Sequence, residues 1–160
     1  MKILIRTAQI LDLPLVEEIE KKAYKNYHNL WDINTFKDIL SKNDLYLFKV
    51  LKDTQGAIIG YVVLLITDDV GELHKITISE SHQGQGLGRW ALEEIIKELE
   101  QKNIKEIILE VLNSNIKAIA LYNSLGFNQI GLRKNYYKIK DLSNKFGYSM
   151  QDAIVMQLKL

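Results

Sequence analysis

Three stretches of the chain carry residue types that could do chemistry. The first is Gln83-Gly84-Gln85-Gly86-Leu87-Gly88-Arg89. Alternating glycines admit a backbone with positive φ and let a ligand approach the main chain closely. An apolar pattern of helical period follows at Leu87, Ala91, Leu92, Ile95, Ile96 and Leu99. A helix that starts there points unpaired N–H groups and the positive end of its dipole at the loop, with the Arg89 charge in its first turn. That arrangement suits a diphosphate. A dinucleotide fingerprint would want glycine where Arg89 stands and would follow the first strand, and a Walker loop would need Gly-Lys-Ser/Thr. Neither condition is met. A tight turn that uses glycine for geometry alone is the other reading.

The second stretch is Ile107-Ile108-Leu109-Glu110-Val111. On a strand, Glu110 projects opposite Leu109 and Val111. A carboxylate in so apolar a strand is either paired, for instance with a lysine, or serves as an acid–base group. The third is Tyr122, within the helical pattern Ile116 to Leu125. It reads as a core aromatic with a satisfied hydroxyl or as a proton donor. Asn115, just before that helix, reads as an N-cap or as a ligand contact. His28, His74 and His82 show no metal-binding spacing. On a regular strand Glu72 and His74 share a face with Ile76 and Ile78, which offers Glu72 as a second carboxylate beside a groove.

The elements that must position these residues follow from periodicity and turn chemistry. Ile3 to Arg6 predicts a strand. Asp12 predicts the cap of a helix that runs to Tyr24 with Pro14 in its first turn, and Asp32 the cap of a second helix. Leu45 to Leu51 and Ala57 to Ile66 predict a hairpin around Asp53-Thr54-Gln55-Gly56. Glu72 to Ile78 predicts a fourth strand, Leu87 to Gln101 a helix, Glu106 to Val111 a fifth strand, and Ile116 to Leu125 a helix ending at Gly126. Gln129 to Leu132 and Ala153 to Leu158 predict two last strands, with a long polar connection over Lys138 to Asp152. The order implies an α/β (α+β) fold: a mixed, mostly antiparallel sheet of about seven strands with helices on both faces.

Composition narrows the possibilities. The 160 residues suit one domain spanning 1–160, and 47% are hydrophobic. A net charge of +1 provides no global field for nucleic acid or an anionic membrane, so direct binding of either is not expected. The absence of cysteine excludes disulfides, thiolate zinc sites and a cysteine nucleophile. The apolar N-terminal run is too short for a signal peptide and no run suffices to span a bilayer, so a cytoplasmic protein is expected. Arg133, Lys134, Lys138, Lys140 and Lys145, offset by Asp141, make a locally basic stretch. It reads as a solvated face or as a contact for an acidic peptide or the ribosome.

Gln-x-x-Gly-x-Gly after a fourth strand is similar to the acetyl-CoA loop of the GNAT superfamily of N-acetyltransferases. The run from Leu109 to Phe127, with Arg133-Lys134-Asn135-Tyr136-Tyr137 and Asp152-Ala153-Ile154-Val155-Met156, resembles its RimI-like branch of ribosomal-protein-alanine and archaeal N-terminal acetyltransferases. The resemblance covers Arg6 to Leu158. Two features depart from it: Leu112 stands where that branch commonly has arginine, and the stretch Lys138 to Met150 is longer than expected. The resemblance implies the GNAT fold and acetyl transfer to the α-amine of a protein or peptide N-terminus, a ribosomal protein among the candidates. It implies Glu110 as general base and Tyr122 as general acid. It implies acetyl-CoA held by Gln83 to Arg89 and by Asn115, with main-chain pairing along Ile76, Thr77 and Ile78 and an N–H near Ile78 facing the thioester oxygen. Tyr136 and Tyr137 would shape the acceptor groove. Acetylation of a small amine such as a polyamine or aminoglycoside, and a catalytically silent CoA-binding domain, are the competing readings.

Overall fold

The computed structural model describes residues 2–160. The chain runs β1 (Leu4–Thr7), α1 (Leu13–Ala23), α2 (Ile33–Ser41), β2 (Tyr46–Lys52), β3 (Ile58–Thr67), β4 (Val70–Ile78), α3 (Leu87–Gln101), β5 (Glu106–Leu112), α4 (Ile116–Ser124), β6 (Asn128–Lys140) and β7 (Tyr148–Lys159). Single turns of 3-10 helix at Ile10–Asp12 and Glu80–His82 precede α1 and the glycine loop. The strands form one sheet in the order β1-β2-β3-β4-β5-β7-β6. Every neighbouring pair is antiparallel except β4 and β5, which the α3 crossover joins in parallel.

Two cores flank the sheet. On one face α3 buries Leu92, Ile95 and Leu99 against Leu64, Leu109 and Met156. On the other, α1 and α2 bury Val16, Ile19, Phe36 and Ile39 against Phe48, Tyr61 and Val63. β3 is covered on both faces, which is why its sequence is a continuous apolar run rather than an alternation. Among the described residues no helix is long and apolar enough to cross a membrane.

Asp32 caps α2 as expected, its carboxylate accepting the Thr35 N–H at 2.8 Å. Asp12 makes no such bond to α1. Its oxygens instead take both guanidinium nitrogens of Arg6, at 2.7 and 2.8 Å, and the Gln9 N–H at 2.7 Å. β4 starts at Val70, earlier than expected. The last two strands are also much longer than expected: β6 and β7 continue as a hairpin to Lys140 and Tyr148, absorbing most of the stretch read as a polar connection. A turn around Asp141 and Asn144, with Gly147 at φ +74°, closes it. The outer part of this hairpin is half-buried and rich in polar residues on both strands, so only a short, weak apolar alternation marked it as strand.

Candidate active site

The site begins with an irregularity in β4. Val63 pairs with Lys75 but Leu64 pairs with Leu73, so His74 is an extra residue in a β-bulge. The bulge breaks the alternation that would have put Glu72, His74, Ile76 and Ile78 on one face. His74 packs against Trp31 and Tyr46, and Lys75 against Tyr24 and Trp31, all on the α1–α2 face. Ile76 and Ile78 join Leu73 on the α3 face. Pairing between β4 and β5 ends at Leu73 with Leu109. Beyond that point the two parallel strands part, and a cleft of about 930 Å³ opens between and around their ends.

The edge of β4 that faces this cleft carries free main-chain groups. Ser79 N–H donates to Ile59 O, which fixes the phase of hydrogen bonding to β3. Gly60–Ile78 and Val62–Ile76 are therefore the non-hydrogen-bonded pairs, and the amides of Ile76 and Ile78 point away from β3 toward the cleft. Thr77, expected among the ligand contacts, faces the other way. Its main chain pairs with Tyr61 and its buried hydroxyl lies 3.1 Å from the Tyr24 hydroxyl. That leaves Thr77 no group to present.

The glycine loop closes one end of the cleft. Gly84 and Gly86 adopt φ +74° and +77°, and a Cβ built on either meets no atom within 4 Å. Glycine is required there by conformation, and the space beside it is open to a ligand. Gly86 is the N-cap of α3, and no side chain caps it. The first amides of α3, on Leu87, Gly88 and Arg89, are thus left to the loop. Gly88 differs from the expectation of positive φ: it is helical and lets α3 approach Leu121 of α4. Gln83 folds back to donate to Ile78 O at 2.9 Å, and Gln85 reaches Ser81 O at 3.4 Å. The Arg89 guanidinium is engaged by Glu93 at 3.0 Å and by the Ser124 hydroxyl at 2.8 Å, so it braces α4 rather than reaching over the loop.

Glu110 and Tyr122 both line the same cleft. Glu110 alternates with buried Leu109 and Val111, so its carboxylate points to the opposite face, where Arg133 Nε pairs with it at 2.7 Å. The partner is thus an arginine rather than the lysine considered from sequence. It arrives by a second irregularity: β6 pairs Arg133 with Ala153 but Tyr137 with Gln151, so extra residues bulge out between them. Asn135 sits at φ +52° in that bulge, and Asp152 accepts its N–H at 2.9 Å. This lets Arg133, Tyr136 and Tyr137 all turn toward Glu110. Tyr137 donates to Glu110 O at 3.2 Å. The Glu110 carboxylate beside Tyr136, and then partial burial, push that phenol's pKa up.

Tyr122 is buried against Phe127, and desolvation raises its pKa, which keeps the hydroxyl protonated. Asn115 caps α4, its side-chain oxygen accepting the Ala118 N–H at 3.2 Å, while the residue also lines the cleft. Glu72 lies at the rim, half-exposed, with His74 at 3.5 Å.

The structure adds residues that sequence reasoning missed. Glu20 of α1 is fully buried and accepts from Lys75 Nζ at 2.7 Å, from Trp31 N–H at 3.2 Å and from the Tyr61 hydroxyl. Lys75 Nζ also sits 3.7 Å from the centre of the Tyr24 ring. Burial lowers the Lys75 pKa, and the Glu20 carboxylate opposes that shift. Tyr24, Tyr27, Trp31 and Lys75 make one wall of the cleft. A signal existed: Glu20 lies four residues after Val16, on the apolar stripe of α1, where an unpaired carboxylate would be costly.

Comparisons with known proteins agree with this geometry. Residues 12–127 match the model of the Acetyltransferase (GNAT) family. The chain is 34% identical over 157 residues to the [ribosomal protein bS18]-alanine N-acetyltransferase of Escherichia coli K12, covering 98% of this chain and 97% of that one. It superposes on the crystal structure of the ribosomal-protein-S18-alanine N-acetyltransferase from Escherichia coli with a TM-score of 0.82 at 33% identity, over 99% of this chain and 94% of that one. A spermidine N-acetyltransferase from Vibrio cholerae, solved with CoA and spermine, shares the fold with a TM-score of 0.83 at 21% identity, over 98% and 95% of the two chains. The chain belongs to the acetyltransferase (GNAT) family.

Proposed function

We propose that the chain transfers the acetyl group of acetyl-CoA to the α-amine of a protein N-terminus, with an alanine-first ribosomal protein as the leading acceptor. One observation carries the reading. Glu110 and Tyr122, from different elements, open into a single cleft that runs to the uncapped start of α3. The near full-length similarity to a [ribosomal protein bS18]-alanine N-acetyltransferase supports that acceptor class. Such an acceptor places the reaction in the cytoplasm.

The residues present fit the cofactor. The amides at the start of α3 and the open backbone of Gly84 and Gly86 would hold its diphosphate. The outward amides of Ile76 and Ile78 would pair with its amide-containing arm, and Asn115 would reach it only with the part of its side chain not used as a cap. When bound, acetyl-CoA supplies an acyl group activated as a thioester. Whichever of the Ile76 and Ile78 amides lies nearer the thioester would donate to the oxygen that gains negative charge, and the other would pair with the arm.

Glu110 takes the proton of the attacking amine, directly or through water. An α-amine of pKa about 7.7–8.0 is already about a tenth neutral at pH 7, whereas a lysine ε-amine near 10.4 is neutral to roughly one part in a few thousand. The base therefore has the lighter task with an N-terminus. Tyr122 gives a proton to the departing sulfur. An ordinary phenol near 10 is about 2 kcal/mol poorer as an acid than an ordinary thiol near 8.5. Burial raises the Tyr122 pKa and widens that gap, so the transfer depends on the sulfur being desolvated in the same cleft.

The test is an acetylation assay across alanine-first peptides, peptides with only lysine amines, and polyamines, read by mass spectrometry and by thiol release. The expected result is acetylation of the alanine-first peptides in preference to the others. Turnover of polyamines alone would replace the acceptor assignment with a small amine. Binding of acetyl-CoA without thiol release to any amine would make the chain a silent binding domain.

A further inference from the structure

We infer that Lys75 determines which first residue the acceptor can carry, because its pinned side chain plugs the part of the cleft where that residue's side chain must go. The inference rests on the N-terminal acceptor proposed above. The side chain of a first residue leaves the carbon next to the attacking nitrogen, so it must lie within a few bonds of the reacting atoms. Lys75 adjoins Ile76, whose amide faces the cleft, and the bulge at His74 turns Lys75 onto the α1–α2 face. Tyr24, which carries the Lys75 ammonium over its ring, lines the same cleft as Glu110 and Tyr122. The plug therefore forms a wall of the cleft that holds the proposed base and acid.

It is also held from every side. Its ammonium contacts Glu20 at 2.7 Å and lies 3.7 Å and 5.0 Å from the ring centres of Tyr24 and Trp31. Glu20 has no exposure and is anchored by Tyr61 and by the Trp31 amide. A side chain so tethered does not swing aside to admit a bulky neighbour. What remains beside it suits alanine, serine or glycine. The same geometry states what would replace it. Without the lysine, two aromatic faces and a buried carboxylate form a cage that a first-residue lysine or arginine would fill.

The experiment compares peptides that differ only in first residue (alanine, leucine, methionine, lysine) with wild type, Lys75→Ala and the double variant Glu20→Gln/Lys75→Met. Wild type should prefer alanine. Lys75→Ala should raise kcat/KM for the lysine-first peptide relative to alanine at least about tenfold, and for leucine or methionine less. The acetylated position, read by fragmentation, should be the α-amine. The double variant keeps the plug's volume without its charge and should keep the preference for alanine. An unchanged ranking in Lys75→Ala that still acetylates the alanine peptide would overturn the inference. If the lone buried carboxylate prevents folding, Glu20→Gln/Lys75→Ala decides: it should gain the leucine- and methionine-first peptides, and failure to gain them overturns the plug. Wild type inactive on every peptide would instead remove the N-terminal acceptor itself.

Discussion

The two halves of the cleft are built differently. The half facing the glycine loop consists of main chain: amides at the start of α3, positive-φ glycines and the outward edge of β4. The half facing α1, α2 and the β6–β7 hairpin consists of side chains brought from distant parts of the sequence, held by a β-bulge on each side. Main-chain donors recognise what every cofactor molecule shares, whatever the acceptor. Side chains can change without disturbing the sheet. On the proposed reading one half of the cleft serves the acyl donor and the other the acceptor, and the two should respond separately to substitution.

The largest effect should come from the group that joins them. Glu110→Gln removes the proposed base but keeps its shape, and kcat/KM for an alanine-first peptide should fall by about a thousandfold, within the usual range for positioned proton transfer. Acetyl-CoA affinity, followed by calorimetry, should stay within about twofold. A matching loss of cofactor affinity would break the division. Tyr122→Phe comes next, with kcat lower by about a hundredfold and cofactor affinity again unchanged. The raised pKa of Tyr122 adds a sign. The protonated form is the proposed donor and persists beyond the ordinary phenol value of 10, so kcat should not decline through pH 9 on this residue's account. A fall between pH 8 and 9 that vanishes in Tyr122→Phe would contradict that.

The opposite signature belongs to Gly86. Alanine there must hold φ +77°, a strain of about 1–2 kcal/mol, and puts a methyl into the open space proposed for the diphosphate. KM for acetyl-CoA should rise about tenfold, while kcat at saturation changes less than about twofold. Acceptor ranking should not move at all.

The same contrast explains what was legible in the sequence. Glycine spacing, the helix from Leu87 and the apolar β5 around Glu110 all state their purpose locally, so the loop, the crossover and the placement of Glu110 and Tyr122 on strand and helix could be read. The bulges could not. Nothing in His74 or Asn135 announces that the alternation fails there, yet those two residues put Lys75, Arg133, Tyr136 and Tyr137 in place. The direction of Thr77 was hidden for the same reason, since a strand residue's direction depends on the register of its partner. The outer β6–β7 hairpin went unseen because a half-buried strand rich in polar residues shows only a weak apolar alternation. Arg89 was assigned by proximity in sequence, whereas its length lets it reach Ser124 on the neighbouring helix.

Asp12 offers the control for both halves. A residue before Pro14 suggested a helix cap, but the carboxylate instead joins Arg6 of β1 to the turn that starts α1. β1 is the opposite edge of the sheet from the β6 side of the cleft. Asp12 is buried and Arg6 partly so, which leaves the pair more valuable than an exposed one and cheaper to break than one deep in the core. Asp12→Ala should cost about 1–3 kcal/mol in denaturant unfolding at pH 7. The hydrogen bond from Arg6, then the Gln9 amide and the guanidinium charge, outweigh burial and hold the Asp12 pKa below its ordinary 3.8. Its contribution is therefore present above that value and is lost as pH falls through and beneath it. The stability difference between wild type and Asp12→Ala should stay level from pH 7 to pH 5 and shrink below pH 4. Under folded conditions the kinetic constants for both substrates should change less than about twofold. A selective loss of acceptor turnover would show that the far edge of the sheet is coupled to the α1–α2 wall, so that the side-chain half of the cleft extends well beyond the residues that line it.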